Sequence, residues 1–278
     1  MYADLHVHSQ YSDGASSLQE IVAKAKENDI TLLSICDHNT IEAYIKESDF
    51  CSNTNIRLIT GAEIHAVMND KEYHILAYRF DTKNETLVEL LEYNCGILDE
   101  MGSKLIEEMS KDYSALSIKE FSRYERVLKN GGWSSLDYLK SKGLAHDWTD
   151  YLKYMRQYNT ALDRDFKHPV DVIKIIQNAG GYAILAHLGD STSQNLQKCE
   201  KILSKFVSMG IDGFECYYPS HTYDITELLL NVCHKRDLIV TAGSDDHGGF
   251  NNISGGLEYD MSIGKVEIKL LNLEKFWM

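Results

Sequence analysis

Asp4-Leu5-His6-Val7-His8-Ser9-Gln10-Tyr11-Ser12-Asp13-Gly14 stands near one end of this 278-residue chain, and Gly243-Ser244-Asp245-Asp246-His247-Gly248 near the other. In extended backbone, residues i and i+2 point to the same side, so His6 and His8 can reach one ion together, and so can Asp245 and His247. Imidazole mixed with carboxylate suits zinc, iron(II) or manganese better than calcium. Between the two motifs lie further candidates, His38, Glu63, His74 and His187. A single histidine is more often a core or surface residue than a ligand; paired spacing and strand-end placement reverse that weight. Clustered cations acidify a water, cancel phosphoryl charge and stabilise a leaving oxygen, which is what phosphate-ester hydrolysis requires. The chain carries no Gly-x-Ser-x-Gly elbow and no P-loop that would support a different chemistry.

Ligands so far apart in sequence meet only if the fold carries several strand ends to one place. Residues 3–8, 31–36, 56–63, 72–78, 182–187, 213–218 and 238–242 read as strands. Helices are expected after Ser16-Ser17, with Leu18, Ile21, Val22 and Ala25 on one face, over about 41–50, from Pro169 with Val172, Ile173 and Ile176, and over 196–209 and 226–235. Such alternation predicts a parallel sheet, open or closed into a barrel. His8, His38, Glu63, His187 and His247 then fall at or just past strand ends, where these folds keep their active sites. Residues 84–168 have a different texture: Leu87, Leu90, Leu91, Ile97, Leu98, Leu105, Ile106 and Met109 recur at helical spacing. They read as a helical insertion that divides a domain formed by residues 1–83 and 169–278. Tyr151, Tyr154 and Tyr158 make the packing stripe of one of its helices.

A formal charge of −14 argues against extended duplex nucleic acid or an anionic membrane surface as partner, since both demand net positive patches. The six cysteines form no Cys-x-x-Cys pair and read as reduced thiols. No apolar run approaches the roughly 18 residues of a membrane span. A cytoplasmic protein is the expectation.

The motifs Asp4-Leu-His6-Val-His8-Ser-x-x-Ser-Asp13-Gly, Cys36-Asp37-His38-Asn39-Thr40, Gly61-Ala62-Glu63-Ile64, His74, Leu185-Ala186-His187 and Gly243-Ser-Asp245-Asp246-His247-Gly resemble those of the PHP (polymerase and histidinol phosphatase) family of metal-dependent phosphoesterases. The resemblance implies an α/β fold, a distorted (β/α)7 TIM-like barrel with a helical insertion, and two to three divalent transition metals (Zn, Fe or Mn) at the mouth of its strands. His6, His8 and Asp245 would hold one metal, bridged by Glu63 to a second on His74 and His187. Asp13, His38 and His247 would hold a third. Leu188, Asn39 and Asp246 depart from the family's usual residues at their positions. Asp4 and Asp37 precede ligand histidines and are candidates to orient imidazole N–H groups, Asp4 the stronger. His65, two residues past Glu63, should face the same pocket. His221, in a family-like segment from Glu215 to His221, is the candidate leaving-group acid or phosphate contact. Arg123, Arg126, Arg156 and Arg164 of the insertion could clamp a phosphate, and Arg164 is the one carried forward as a substrate contact. The implied activity is hydrolysis of a small phosphorylated substrate by metal-activated hydroxide: a nucleotide, a nucleoside bisphosphate or a short oligonucleotide. The rival readings are an amidohydrolase-type enzyme and a non-catalytic metal-binding module.

Overall fold

The computed structural model describes residues 2–160, 165–250, 253–254, 257–258, 260–264 and 268–269. Strands β1 (Tyr2–Val7), β2 (Ile30–Ile35), β3 (Arg57–Met68), β4 (Lys71–Tyr78), β5 (Tyr182–Leu185), β6 (Gly213–Tyr217) and β7 (Ile239–Ala242) lie side by side in chain order. Two short strands, β8 (Ile253–Ser254) and β9 (Leu257–Glu258), pair with each other, and β10 (Ile268–Lys269) runs antiparallel along β1. Past β7 the chain returns to the first strand. Asp245 N–H donates to the His6 carbonyl (2.7 Å), and His8 N–H donates to the Asp246 carbonyl (2.9 Å). The two edges of the sheet therefore meet where the terminal motifs stand, in the manner of a TIM-like α/β sheet curled on itself. Ala3, Leu5, Leu32, Ile59, Leu76 and Ile184 fill its interior below that end.

Helix α1 (Leu18–Glu27) starts at a reciprocal cap. Ser17 Oγ accepts from Glu20 N–H (3.3 Å), and Glu20 Oε2 accepts from Ser17 N–H (2.8 Å). Its buried face is Leu18, Ile21, Val22 and Ala25, the spacing read from sequence. The helix expected over 41–50 is instead two pieces, α2 (Glu42–Lys46) and α3 (Ser48–Asn53), broken at Glu47 (φ −111°, ψ 28°). Tyr44 pins the first piece, its hydroxyl accepting from Ile35 N–H (2.9 Å) and Gly61 N–H (3.2 Å) at the strand ends.

The larger departure is strand direction. β3 and β4 form an antiparallel hairpin, and β4 is antiparallel to β5 as well. The connection is the two residues Asn69 and Asp70, at φ 53° and 59°. Asn and Asp accept this left-handed conformation, and two such residues make the type I′ turn that suits a hairpin. β3 consequently runs on past Thr60, its last parallel partner position with β2. Glu63 and His74 thus sit within long strands rather than at strand ends.

Helices α4 (Glu85–Ser110), α5 (Ile118–Phe121), α6 (Ser134–Ser141) and α7 (Trp148–Gln157) occupy the stretch between β4 and α8 (Pro169–Asn178). Leu87, Leu90 and Leu91 at the start of α4 pack into the sheet's outer core, whereas Leu105, Ile106 and Met109 belong to a cluster with Leu136, Leu139 and Tyr151. The tyrosine stripe of α7 packs there too. α9 (Leu188–Ser191), α10 (Leu196–Met209) and α11 (Tyr223–Arg236) complete the fold. Among the described residues, no helix is long and apolar enough to cross a membrane.

Candidate metal centre

Four donor atoms converge beneath the mouth of the sheet: His6 Nε2, His8 Nε2, Glu63 Oε2 and Asp245 Oδ1. His6 Nε2 lies 3.1 Å from His8 Nε2, 3.2 Å from Glu63 Oε2 and 3.3 Å from Asp245 Oδ1. His8 Nε2 lies 3.2 Å from Glu63 Oε2 and 2.9 Å from Asp245 Oδ1. Donors bound about 2.0–2.2 Å from one ion are roughly 2.8–3.6 Å from each other, so these spacings fit a single first-row metal. Buried His8 Nδ1 and His38 Nδ1 have no hydrogen-bond partner among the described residues, as expected of atoms reserved for ions.

The other oxygen of Glu63 faces a second group. Glu63 Oε1 is 2.8 Å from His74 Nδ1 and 2.9 Å from His187 Nε2, and those two nitrogens are 3.3 Å apart. Glu63 is thus disposed to bridge. The third group is looser and includes His8: Asp13 Oδ1 lies 3.4 Å from His247 Nε2 and 3.7 Å from His8 Nδ1, and Asp13 Oδ2 lies 3.9 Å from His38 Nε2. His38 Nδ1 also approaches Glu63 Oε2 at 3.2 Å, placing this ring between groups. All nine side chains singled out as ligands therefore surround one space. Seven line a cavity of about 370 Å³, while His6 and His8 lie fully buried behind it.

Partners on the far side of each ring choose which nitrogen is free. His6 Nδ1 is 3.0 Å from Glu215 Oε1, and His74 Nε2 is 2.9 Å from Glu72 Oε1. His247 Nδ1–H donates to the Asp245 carbonyl (2.8 Å). In each case the remaining nitrogen is directed at the groups above. Glu215 Oε2 also accepts from His187 N–H (2.9 Å), so one carboxylate positions two candidate ligands.

The electrostatics show the site's need for positive charge. Burial opposes charge on His6, yet Asp245, Glu63 and Glu215 raise its pKa well above the ordinary value. His8 is equally desolvated, and its hydrogen bonds to Asp245 and Glu63 bring it to about 10. Burial alone would raise Asp13, Asp245 and Glu63, but the surrounding histidines hold all three below the usual carboxylate range. His38 goes the other way, desolvated down to about 3.

The remaining sequence candidates fare differently. Asp4 does not orient an imidazole: its Oδ1 accepts from Ser244 N–H (3.0 Å) and His6 N–H (3.4 Å), fastening β1 to the last motif. Asp37 accepts from Ser9 N–H (2.8 Å), Ser9 Oγ (2.6 Å) and Ser12 Oγ (2.5 Å), tying down the loop that presents Asp13. His221 does not line the cavity. Its Nε2 accepts from Gly189 N–H (3.1 Å) and its Nδ1 faces the Cys216 carbonyl (3.2 Å), while burial lowers its pKa to about 4. Such a ring supports the loop after His187, with Nε2 engaged by Gly189 N–H and Nδ1 by the Cys216 carbonyl. His65 does line the cavity. Arg123, Arg126 and Arg156 do not, Arg126 being spent on the carbonyls of Gly132 and Gln10, and Arg164 lies outside the described residues. Sequence reading missed Glu72 and the role of Glu215. Glu72 had a signal, since it stands two residues before His74 on the same strand face. The departures from the family pattern have uses as well: Asp246 accepts from Lys24 Nζ (2.5 Å) and Gly248 N–H (2.7 Å).

A curled α/β sheet with clustered imidazole and carboxylate donors at its mouth defines a metal-dependent hydrolase. The family model for the PHP domain matches residues 4–215, and the chain belongs to that family of metal-dependent phosphoesterases. It is 28% identical over 257 residues to a 5′-3′ exoribonuclease of Haemophilus influenzae, covering 88% of this chain and 89% of the relative. It is 24% identical over 266 residues to a phosphoribosyl 1,2-cyclic phosphate 1,2-diphosphodiesterase of Eggerthella lenta, covering 91% and 97%. A crystal structure from Bifidobacterium adolescentis, described as a metal-dependent phosphoesterase, shares the fold with a TM-score of 0.71 at 23% identity, covering 96% of this chain and 97% of that one.

Proposed function

We propose that this chain hydrolyses a nucleotide-sized phosphate ester, using two to three divalent transition ions held by the nine clustered side chains. The reading is carried by His6 Nε2 and His8 Nε2, 3.1 Å apart and each 2.9–3.3 Å from Glu63 Oε2 and Asp245 Oδ1. When bound, the ions supply Lewis acidity, which cancels phosphoryl charge and acidifies a water. Glu63, His74 and His187 would hold the second, and Asp13, His38 and His247, with His8 beside them, the third. Glu215 and Glu72 keep protons on the outer nitrogens of His6 and His74. Trp133, Trp148 and Tyr151, from the helical segment 84–168 that we assign as a cap, supply aromatic lining to the same cavity.

His65 is assigned to the substrate rather than to a metal. Asn39 Oδ1 accepts from His65 N–H (3.1 Å) and from Asn94 Nδ2 (2.9 Å), which turns Asn39 Nδ2 toward His65 Nδ1 at 2.6 Å. The ring then accepts at Nδ1 and carries its proton on Nε2, which lies 3.5 Å from Glu72 Oε1 on the cavity wall, where a phosphoryl oxygen could compete for it. Relatives acting on RNA ends and on a cyclic ribose phosphate support a ribose-containing or similar ester.

Protein purified without chelators is expected to carry two to three equivalents of transition metal by elemental analysis. His8→Ala and Asp245→Ala should each lose metal and reduce phosphoesterase activity by at least about a thousandfold, the scale on which metal-assisted catalysis depends on an intact site. A fully metallated protein that cleaves amides but no phosphomonoester, diester or nucleotide would overturn the reading.

A further inference from the structure

Beyond the candidate ligands, the cavity wall holds a carboxylate placed as though to read the substrate. Asp190 follows His187 by three residues, in α9, and lines the cavity beside Tyr218 and Asp245. It is anchored from one side only: Oδ1 accepts from Ser220 Oγ and from Gln194 Nε2 (3.0 Å). Those two donors also touch each other, Gln194 Nε2 lying 3.2 Å from Ser220 Oγ, so the carboxylate is held by a small closed network. Its second oxygen, Oδ2, has no hydrogen bond among the described residues and remains an available acceptor. Across the hairpin, Glu72 adds a further carboxylate to the wall, and no lysine or arginine lines the cavity among the described residues.

A phosphate in this cavity therefore answers to the metals and to N–H donors. Whatever lies beyond the ester oxygen answers to an acceptor. We propose that Asp190 is a specificity-determining residue: it selects phosphate esters whose alcohol carries a hydrogen-bond donor, a hydroxyl or an amine, near the ester oxygen, and disfavours those with a second anionic group there. This rests on the phosphoesterase reading, because it takes the phosphoryl group to be held at the metal centre. A fixed carboxylate meeting a donor forms a charge-assisted hydrogen bond, and meeting an anion leaves two like charges in a partly dehydrated space.

Phosphonates test this without turnover, since their carbon–phosphorus bond stands in for the ester link and is not hydrolysed. Calorimetric titration of the metal-loaded protein with ethylphosphonate, 2-hydroxyethylphosphonate, 2-aminoethylphosphonate and 3-phosphonopropionate should rank the amino and hydroxyl compounds above ethylphosphonate, and the carboxylate last. Asp190→Asn keeps an acceptor for Ser220 and Gln194 and should shrink the preference for 2-aminoethylphosphonate over 3-phosphonopropionate by roughly tenfold or more, the worth of one hydrogen bond to a charged group. Asp190→Glu, which keeps the charge but displaces it, should retain the order with a smaller spread. Metal content, measured on each variant, certifies that the centre is intact. Binding of all four with no preference, or a preference that Asp190→Asn leaves unchanged, overturns this proposal alone. Failure of every phosphonate and of inorganic phosphate to bind overturns the phosphoesterase reading with it.

Discussion

At the scale of single residues, the centre depends as much on groups that never meet an ion as on the ligands. Glu215 receives His6 Nδ1–H through one oxygen and His187 N–H through the other, buried at the sheet's interior edge. Glu215→Gln turns one of those contacts into donor against donor, and metal affinity is expected to fall by about 10–100-fold, measured by chelator competition. Glu72→Gln should cost less, because Glu72 meets His74 at the open side of the cavity, where water can replace it. The ligand types were legible in the sequence because His-x-His and Asp-x-His spacing forces side chains together on an extended backbone. The carboxylates behind them were not, because Glu215 contacts a histidine 209 positions away and only the curl of the sheet makes them neighbours. Asp4 and Asp37 illustrate the converse: nearness to a ligand in sequence does not put a carboxylate on its ring, and Asp4 holds backbone N–H groups while Asp37 holds Ser9 and Ser12.

Among the elements, the β3–β4 hairpin does the most to define the second ion group. Its turn pairs Met68 with Lys71, which places His65 opposite His74 and Glu63 opposite Leu76. A slip of one residue would send His74 to the other face of the sheet. Asn69→Val and Asp70→Val put a β-branched residue into left-handed backbone, and each is expected to lower unfolding stability by roughly 1–2 kcal/mol in chemical denaturation. Metal content should drop alongside if register is lost. The helices of the sheet layer were readable from their apolar periodicity and caps, as in Ser17 and Pro169. The hairpin was not: two strands in a chain of alternating strands and helices predict parallel neighbours, whereas Asn69-Asp70 makes a tight reversal between them.

For the molecule as a whole, binding of metal and binding of protons are linked. His6 and His8 have raised pKa values in the metal-free fold, so at pH 7 they carry protons that an ion must displace. Metal affinity should fall as pH falls, and calorimetric enthalpies measured in buffers of different ionisation enthalpy should reveal proton release. The same shifts set the stability of the metal-free form. A histidine whose folded pKa is raised contributes fully below its unfolded value near 6.5 and loses that contribution as pH climbs toward about 10. Thermal scans of metal-free protein should therefore show declining stability over that range, and metal-loaded protein should not follow it. The meeting of the first and last motifs also sets an order of assembly. His6 and His8 leave the ribosome about 240 residues before His247, and at common elongation rates that interval is roughly 10–50 s. Glu63 and the β2 strand follow the first motif early, but Asp245 and His247 come last of the nine, so the complete centre can form only once that final motif has emerged.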